Sequence, residues 1–299
     1  MRATTLVGAL ALPTLGLGIR IIQGNDDGWA EMYVRTMHDT LMAGGHDAVF
    51  SGPAEQKSGT GSHDAIPANR TTPCQYDSCP ANSGPVGSDP KNPRLNWVNS
   101  FPVTAMKYGI DTFGPQIWGN NKTADLAVCG PNVGGNRWLQ LPFSGTVGAS
   151  VEAVKQGIPA IAFSGSSGTS PQVFNKTDPS PRAKLYSELA LVLVDKLVST
   201  GKPYLPAQTF LNVNFPDISD KCKSVGDFKW IMTRVTSGLF SGNDAPTCGR
   251  NKMPAEFDLI FTKDCQISVS VGDANDKTTA APDKQQVVLD KLGNFLSCL

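Results

Sequence analysis

Two adjacent carboxylates follow the apolar run Ile21-Ile22-Gln23, in the order Gly24-Asn25-Asp26-Asp27-Gly28. Neighbouring anions repel, and both stay charged only if something positive lies between them; a divalent cation is the usual partner. Open α/β sheets gather their chemistry at the carboxyl ends of strands. The pair therefore points to metal-assisted hydrolysis, with phosphate esters as substrates. The same residues also fit a plain turn in which an Asp caps the next helix. An EF-hand loop is excluded, because its alternating acidic ligands and closing Glu are missing.

Three further segments carry groups suited to the same chemistry. Pro53-Ala54-Glu55-Gln56-Lys57-Ser58-Gly59-Thr60-Gly61-Ser62 offers hydroxyls and backbone N–H groups for a metal or a phosphate. Its plainer reading is a flexible polar loop. In Cys129-Gly130-Pro131-Asn132-Val133-Gly134-Gly135-Asn136 the glycines let backbone approach a ligand, and an Asn carbonyl suits a hard cation. Phe143-Ser144-Gly145-Thr146-Val147-Gly148 opens a helix, and helix N-termini attract anions; an ordinary Ser or Thr cap explains it equally. Of the histidines, His38 is expected on the surface of the first helix and His46 in a local bond after it. His63 is expected in a solvated loop, where a general-acid role is open to it. Trp29 is expected to cover the first helix, or to stack on a ligand ring.

These segments need elements that present them together. Short apolar runs alternate with helical spacing, the mark of a mostly parallel sheet covered by helices. Strands are expected at Ile19–Gln23, Asp47–Ser51, Ala124–Cys129, Ala160–Ser164, Thr209–Asn214 and Lys229–Val235. Helices are expected from Ala30 to Leu41, Thr146 to Gln156, Arg182 to Ser199 and Val287 to Leu296. Phe257–Phe261 and Ile267–Val271 alternate around Thr262-Lys263-Asp264 and predict a hairpin. The fold class is thus α/β, a Rossmann-like mostly parallel sheet with helices on both faces and a C-terminal β-hairpin extension. Ser58 to Asn96 lacks periodicity and either lines the site or is tethered by Cys74 and Cys79. Gly165 to Pro181 reads as an exposed excursion.

The chain has 299 residues, 40% hydrophobic, with 26 basic and 26 acidic side chains. That balance argues against an extended nucleic-acid partner. Arg2 followed by the apolar Leu6 to Leu17 reads as a secretory signal over residues 1–18, too short to span a bilayer; no membrane partner is expected. A single domain, 19–299, then remains. Sequons at Asn69, Asn121 and Asn175 agree with a secreted protein. Seven cysteines in no zinc pattern favour disulfides. Cys74 and Cys79 suit a small loop, and Cys129 suits a buried free thiol.

At Asn25-Asp26-Asp27-Gly28, Pro53 with Ser58, Gly130 to Asn136 and Ser144 to Gly148, the chain resembles the SurE family of metal-dependent phosphatases and nucleotidases. Gly157 to Ala162 and Leu211-Asn212-Val213-Asn214-Phe215-Pro216 extend the resemblance, which covers about Ile19 to Thr236. It implies one divalent cation, Mg2+ or Mn2+, held by Asp26, Asp27, Ser58 and Asn132. It implies that Asn136, Ser144, Gly145 and Thr146 hold the substrate phosphate. Asp26 and Asp27 are the implied catalytic carboxylates, with Asp26 chosen as the one nearer the chemistry. The expected reaction is hydrolysis of a small phosphorylated substrate, with nucleoside monophosphates favoured. A broad-specificity secreted acid phosphatase, or a non-catalytic phosphate- or sugar-binding protein, are the alternatives. The chain departs from the family pattern near Gln56, at Pro131 and Val133, in the variable loop of about 63–96, and most of all beyond Thr236. Homo-oligomer formation through C-terminal elements is open on that ground.

Overall fold

The computed structural model describes residues 18–166, 173, 178–238, 241–260 and 264–299. The expected signal segment, the sequon at Asn175 and most of the Gly165 to Pro181 excursion lie outside these residues.

Among them, ten strands form one sheet. In chain order they are β1 (Arg20–Gly24), β2 (Asp47–Pro53), β3 (Val86–Asp89), β4 (Asn92–Val98), β5 (Leu126–Val133), β6 (Ala160–Gly165), β7 (Thr209–Asn214), β8 (Lys229–Thr233), β9 (Gln266–Asp273) and β10 (Leu296–Ser297). The spatial order is β10-β8-β9-β7-β6-β5-β1-β2-β4-β3. Strands β4, β2, β1, β5, β6 and β7 are parallel, while β9 runs antiparallel to β7. The chain passes from β1 to β2 on one side and returns to β5 on the other. The order therefore reverses between β1 and β5, which opens a crevice at their carboxyl ends.

Alternation along the strands supplies two cores. Ile21, Leu126, Val128, Ile161, Phe163, Leu211 and Val213 face helices α1 (Met32–Ala43) and α5 (Pro181–Ser199). Ile22, Ala127, Cys129, Ala160 and Ala162 face α2 (Pro102–Tyr108) and α4 (Gly145–Lys155). The second set is small, as are Ala149 and Ala153 of α4, so α4 lies close on the sheet and its N-terminus reaches the crevice. Helix α3 (Gly114–Trp118) continues from α2 through a π turn, and α6 (Pro282–Leu292) packs beside α5. The core thus sits on both faces, as the sequence led us to expect.

Several local expectations change. Asp258–Ile260 is a helical turn and not a strand. The Asp258 carboxylate accepts from the Ala255 N–H at 2.9 Å, a local bond that overrides the alternating pattern. The antiparallel pairing of the C-terminal extension is made instead between β9 and β7. The last helix begins early, with Pro282 in its first turn, and stops at Gly293, whose φ is 51°. The stretch taken as irregular carries the antiparallel pair β3–β4. Its tip is held by Lys91 N–H donating to Asp89 at 2.8 Å. The cysteines pair as Cys74–Cys79, Cys222–Cys265 and Cys248–Cys298, and Cys129 is free and buried. Burial pushes its thiol up to about 12.

Two histidines sit differently from expectation. His46 reaches across 149 residues to the Asp195 carboxylate at 2.9 Å. His38 is buried, not on the surface, and its Nδ1 lies 3.3 Å from Gln23 Oε1. Gln23 points from β1 toward α1, where its Nε2 also donates to the Val34 carbonyl at 2.9 Å, so the polar pair is enclosed between strand and helix. Burial, aided by the charges of Arg35 and Arg94, pushes the His38 pKa from 6.5 down to about 4. Above pH 6.5 the ring is neutral folded or unfolded, and no stability is lost. Between 6.5 and about 4 the unfolded chain binds one proton more than the folded one, so stability falls as pH drops. In denaturant titrations, the wild type should lose about 2 kcal/mol more than His38→Gln on going from pH 7 to pH 5. Equal losses in both proteins would refute the assignment.

Candidate active site

The turn after β1 is built for close quarters. Asn25 Nδ2 donates to the Gly28 carbonyl at 2.8 Å and closes Asn25-Asp26-Asp27-Gly28 on itself. Gly28 has φ 104°, and a Cβ there would stand 1.9 Å from Gln75 Oε1. Only glycine suits that position. Trp29 N–H then bonds the Pro53 carbonyl at 2.8 Å, which ties this turn to the end of β2.

Asp26 and Asp27 are 2% and 3% exposed. Asp26 Oδ2 accepts from the Gly145 N–H at 3.0 Å, and Oδ1 from the Thr146 hydroxyl at 2.7 Å. The same hydroxyl oxygen stands 3.3 Å from Asn132 Oδ1. Asn132 Nδ2 donates to the Gly134 carbonyl at 2.6 Å, which turns its oxygen toward the carboxylates. Asp27 Oδ2 accepts from the Val133 N–H at 2.9 Å. Among the described residues, Asp27 Oδ1 accepts no hydrogen bond. Three chain segments thus meet at one point: the turn after β1, the end of β5 and the start of α4.

Burial raises the pKa of Asp26, opposed by the bonds from Thr146 and Gly145. Burial raises that of Asp27 well above the ordinary range, and the neighbouring Asp26 charge adds to it. The donor set is two carboxylates and an amide oxygen, all hard. No group of three or more His, Cys, Asp or Glu gathers among the described residues, so a soft-metal site is not built. This set fits one oxygen-preferring divalent cation, which would relieve both raised carboxylates.

Ser58 is exposed and makes no side-chain hydrogen bond to the described residues. Its neighbour Lys57, however, donates its N–H to the Asp26 carbonyl at 2.7 Å, which brings this loop to the edge of the site. Ser144 caps α4, its Oγ accepting from the Val147 N–H at 3.1 Å. Gly145 and Thr146 are engaged with Asp26, a role the sequence reading did not foresee. A Cβ on Gly145 would stand 2.7 Å from Asp26 Cβ, so the close approach of α4 requires glycine there.

Asn136 is 6% exposed and held from three sides. Its Nδ2 donates to Ser164 Oγ at 2.8 Å, and its N–H to Asn214 Oδ1 at 2.9 Å. Its carbonyl accepts from Asn212 Nδ2 at 2.9 Å and Asn214 Nδ2 at 3.0 Å. Asn212 Nδ2 donates in turn to Glu256 Oε1 at 2.8 Å. Ser164, Asn212, Asn214 and Glu256 were not foreseen as parts of the site. Two asparagines on one face of a buried strand, at Asn212 and Asn214, were the signal available.

The variable loop lines the site and is tethered as well. Arg70 donates to Glu55 at 2.8 Å and to Asn99 at 2.9 Å. Gln75 N–H bonds the Ala54 carbonyl at 3.1 Å, setting the Cys74–Cys79 loop over Gly28. His63 is exposed and lies edge-on to Phe101 at 5.5 Å, with no contact to the paired carboxylates. Trp29 is buried and covered by Arg35 at 5.4 Å, in its plainer structural role.

The chain is similar to known proteins over most of its length. The family model described as "Survival protein SurE" matches residues 21–239. The chain is 32% identical over 286 residues to an acid phosphatase of Yarrowia lipolytica, covering 84% of this chain and 78% of that one. It is 31% identical over 200 residues to a 5'-nucleotidase SurE of Thermosynechococcus vestitus, covering 66% of this chain and 64% of that one. The crystal structure of the SurE protein from Aquifex aeolicus superposes with a TM-score of 0.58 over 85% of this chain and 93% of that one, at 19% identity. That likeness speaks for the fold. By its sequence over most of its length, the chain belongs to the SurE family.

Proposed function

We propose that this protein hydrolyses phosphate monoesters with one bound divalent cation, magnesium or manganese, and that nucleoside monophosphates are its favoured substrates. The observation that carries this reading is the buried pair Asp26–Asp27 against Asn132 Oδ1 at the open end of a helix. The names of the relatives, acid phosphatase and 5'-nucleotidase, support the reaction class.

Asp26, Asp27 and Asn132 would hold the cation, with Ser58 supplied by the adjoining loop. When bound, such an ion lowers the pKa of a water and polarises a phosphoryl oxygen. Both oxygens of Asp26 are already engaged by Gly145 and Thr146, so Asp26 is suited to holding. Asp27 keeps one oxygen open, and we assign it, in place of Asp26, the part of orienting the attacking water. The first N–H groups of α4 are taken by Asp26 and Ser144, which leaves the helix dipole and the Ser144 hydroxyl proton to meet developing negative charge. Asn136, which uses one of its two amide hydrogens on Ser164, has a second to donate to the phosphate. The second reading, a broad-specificity secreted acid phosphatase, draws its reaction class from the relative named acid phosphatase. A binding protein without turnover would have no need of two buried carboxylates.

We further propose export to an oxidising compartment as a glycoprotein. Three disulfides support it, with exposed sequon residues Asn69 and Asn121. No described helix is long and apolar enough to cross a membrane.

A phosphate-release screen over nucleotides and simple esters, with each metal and with chelator, tests the function. Activity should vanish in excess chelator and return with magnesium or manganese; full turnover in chelator would overturn the reading. Asp27→Asn should lower kcat by about a thousandfold or more with the unfolding midpoint little changed. Wild-type turnover in that variant would remove Asp27 from the mechanism. Gly145→Ala should also cost activity, by roughly tenfold or more, because the added methyl displaces Asp26. Unaltered kinetics would show that the contact yields freely.

A further inference from the structure

A cavity of about 560 Å³ opens beside Asn136, above the ends of β6, β7 and β9. Its wall on the catalytic side is Gly134, Gly135 and Asn214, which flank and hold Asn136. Whatever lies in it therefore continues directly from a phosphate held at Asn136. Arg137, the next residue, lines the cavity. A Cβ on Gly135 would stand 2.2 Å from Arg137 Nη1, so the glycine lets the guanidinium lie flat against the loop.

Arg137 makes no ion pair within 4 Å among the described residues. Asp217 on the cavity wall is occupied by Arg182 at 3.1 Å. Asp264 is exposed at the mouth, where water screens it. Glu256 is fully buried and feels the Arg137 charge, yet burial pushes its carboxyl up to about 8, which weakens it as a counter-ion. A second observation is independent of charge. Ser268 is 2% exposed, lines the same cavity, and its Oγ has no hydrogen-bond partner among the described residues. A mostly buried guanidinium and an unpartnered hydroxyl in one cavity call for an oxygen-rich anion.

We propose that this cavity is a second anion subsite, which selects phosphate monoesters whose leaving group carries its own phosphoryl or carboxylate group and docks that group on Arg137 and Ser268. The inference rests on the phosphatase reading and narrows its substrate class.

Paired substrates test it. Adenosine 3′,5′-bisphosphate is compared with adenosine 5′-monophosphate, and 3-phosphoglycerate with glycerol 3-phosphate, which separates phosphoryl from carboxylate as the second group. The wild type should prefer the member with two anionic groups in at least one pair, through a lower KM. Arg137→Ala should collapse that kcat/KM ratio by roughly ten- to a hundredfold, with Arg137→Lys restoring part of it and Ser268→Ala giving a smaller loss. A wild type without preference, or a ratio unmoved by Arg137→Ala, overturns the subsite. So does an equal loss on both members of a pair, which would put Arg137 at the scissile phosphate. If the wild type releases phosphate from no ester, the phosphatase reading falls. Calorimetric binding of adenosine 3′,5′-bisphosphate to wild type and Arg137→Ala then still decides the subsite: tenfold weaker binding in the variant supports it, and equal binding refutes it.

Discussion

Asp26 and Asp27 are consecutive, and both are almost completely buried. Two unit charges about 4 Å apart near a protein repel by about 4 kcal/mol. A hydrogen bond to a charged group returns about 1.5–3 kcal/mol. Asp26 receives two such bonds, from Gly145 and Thr146, and Asp27 one, from Val133. Burial still holds both carboxyls above their ordinary range, that of Asp27 well above it, where the neighbouring Asp26 charge adds to the effect. The pair is therefore suited to a positive charge that the chain itself does not supply, and an oxygen-preferring divalent cation would answer it.

The fold meets this constraint through backbone and not through added cations. Helix α4 comes close because its sheet-facing residues and the strands beneath it are small. Glycine at position 145 lets its first N–H touch Asp26. Had a lysine been placed between the carboxylates, their repulsion would be answered permanently and no ion would be needed. Backbone N–H groups answer it in part, and leave one Asp27 oxygen without a donor among the described residues, near an Asn132 amide oxygen that shares the Thr146 hydroxyl with Asp26.

Much of this was legible in the sequence. The strands and helices expected between Ile19 and Asn214 came from apolar alternation and held to within a few residues, but β3, β4, α2 and α3 were not foreseen. The Asp26–Asp27–Asn132 cluster was legible because each member stands at or just past the carboxyl end of a strand, where a doubly wound sheet collects them. The partners of Asn136 were not. Asn212 and Asn214 read as ordinary members of a buried strand, and Glu256 lay in a region whose pattern suggested a hairpin. His38 was misplaced because helical spacing gives a face but not what covers it; Gln23, a polar residue in a buried strand, was its unseen partner. Local bonds such as Asp258 to Ala255 leave no trace in hydrophobic periodicity.

The C-terminal part, where the family resemblance fades, completes the site. Strand β9 reverses direction against β7 and sets Ser268 opposite Asn214, at the same edge of the sheet as the catalytic turn. Glu256, from the segment before it, accepts from Asn212, whose amide also holds the Asn136 carbonyl. Two disulfides, Cys222–Cys265 and Cys248–Cys298, close loops of 43 and 50 residues in this part. In the chain-entropy view, bridges over such loops contribute roughly 3–4 kcal/mol each by restricting the unfolded state. The parallel strands at the centre carry the paired carboxylates, while the bridged extension supplies Ser268 and Asp264 to the wall of the cavity beside Asn136. Variation in that extension can change which ester fits without disturbing the paired carboxylates.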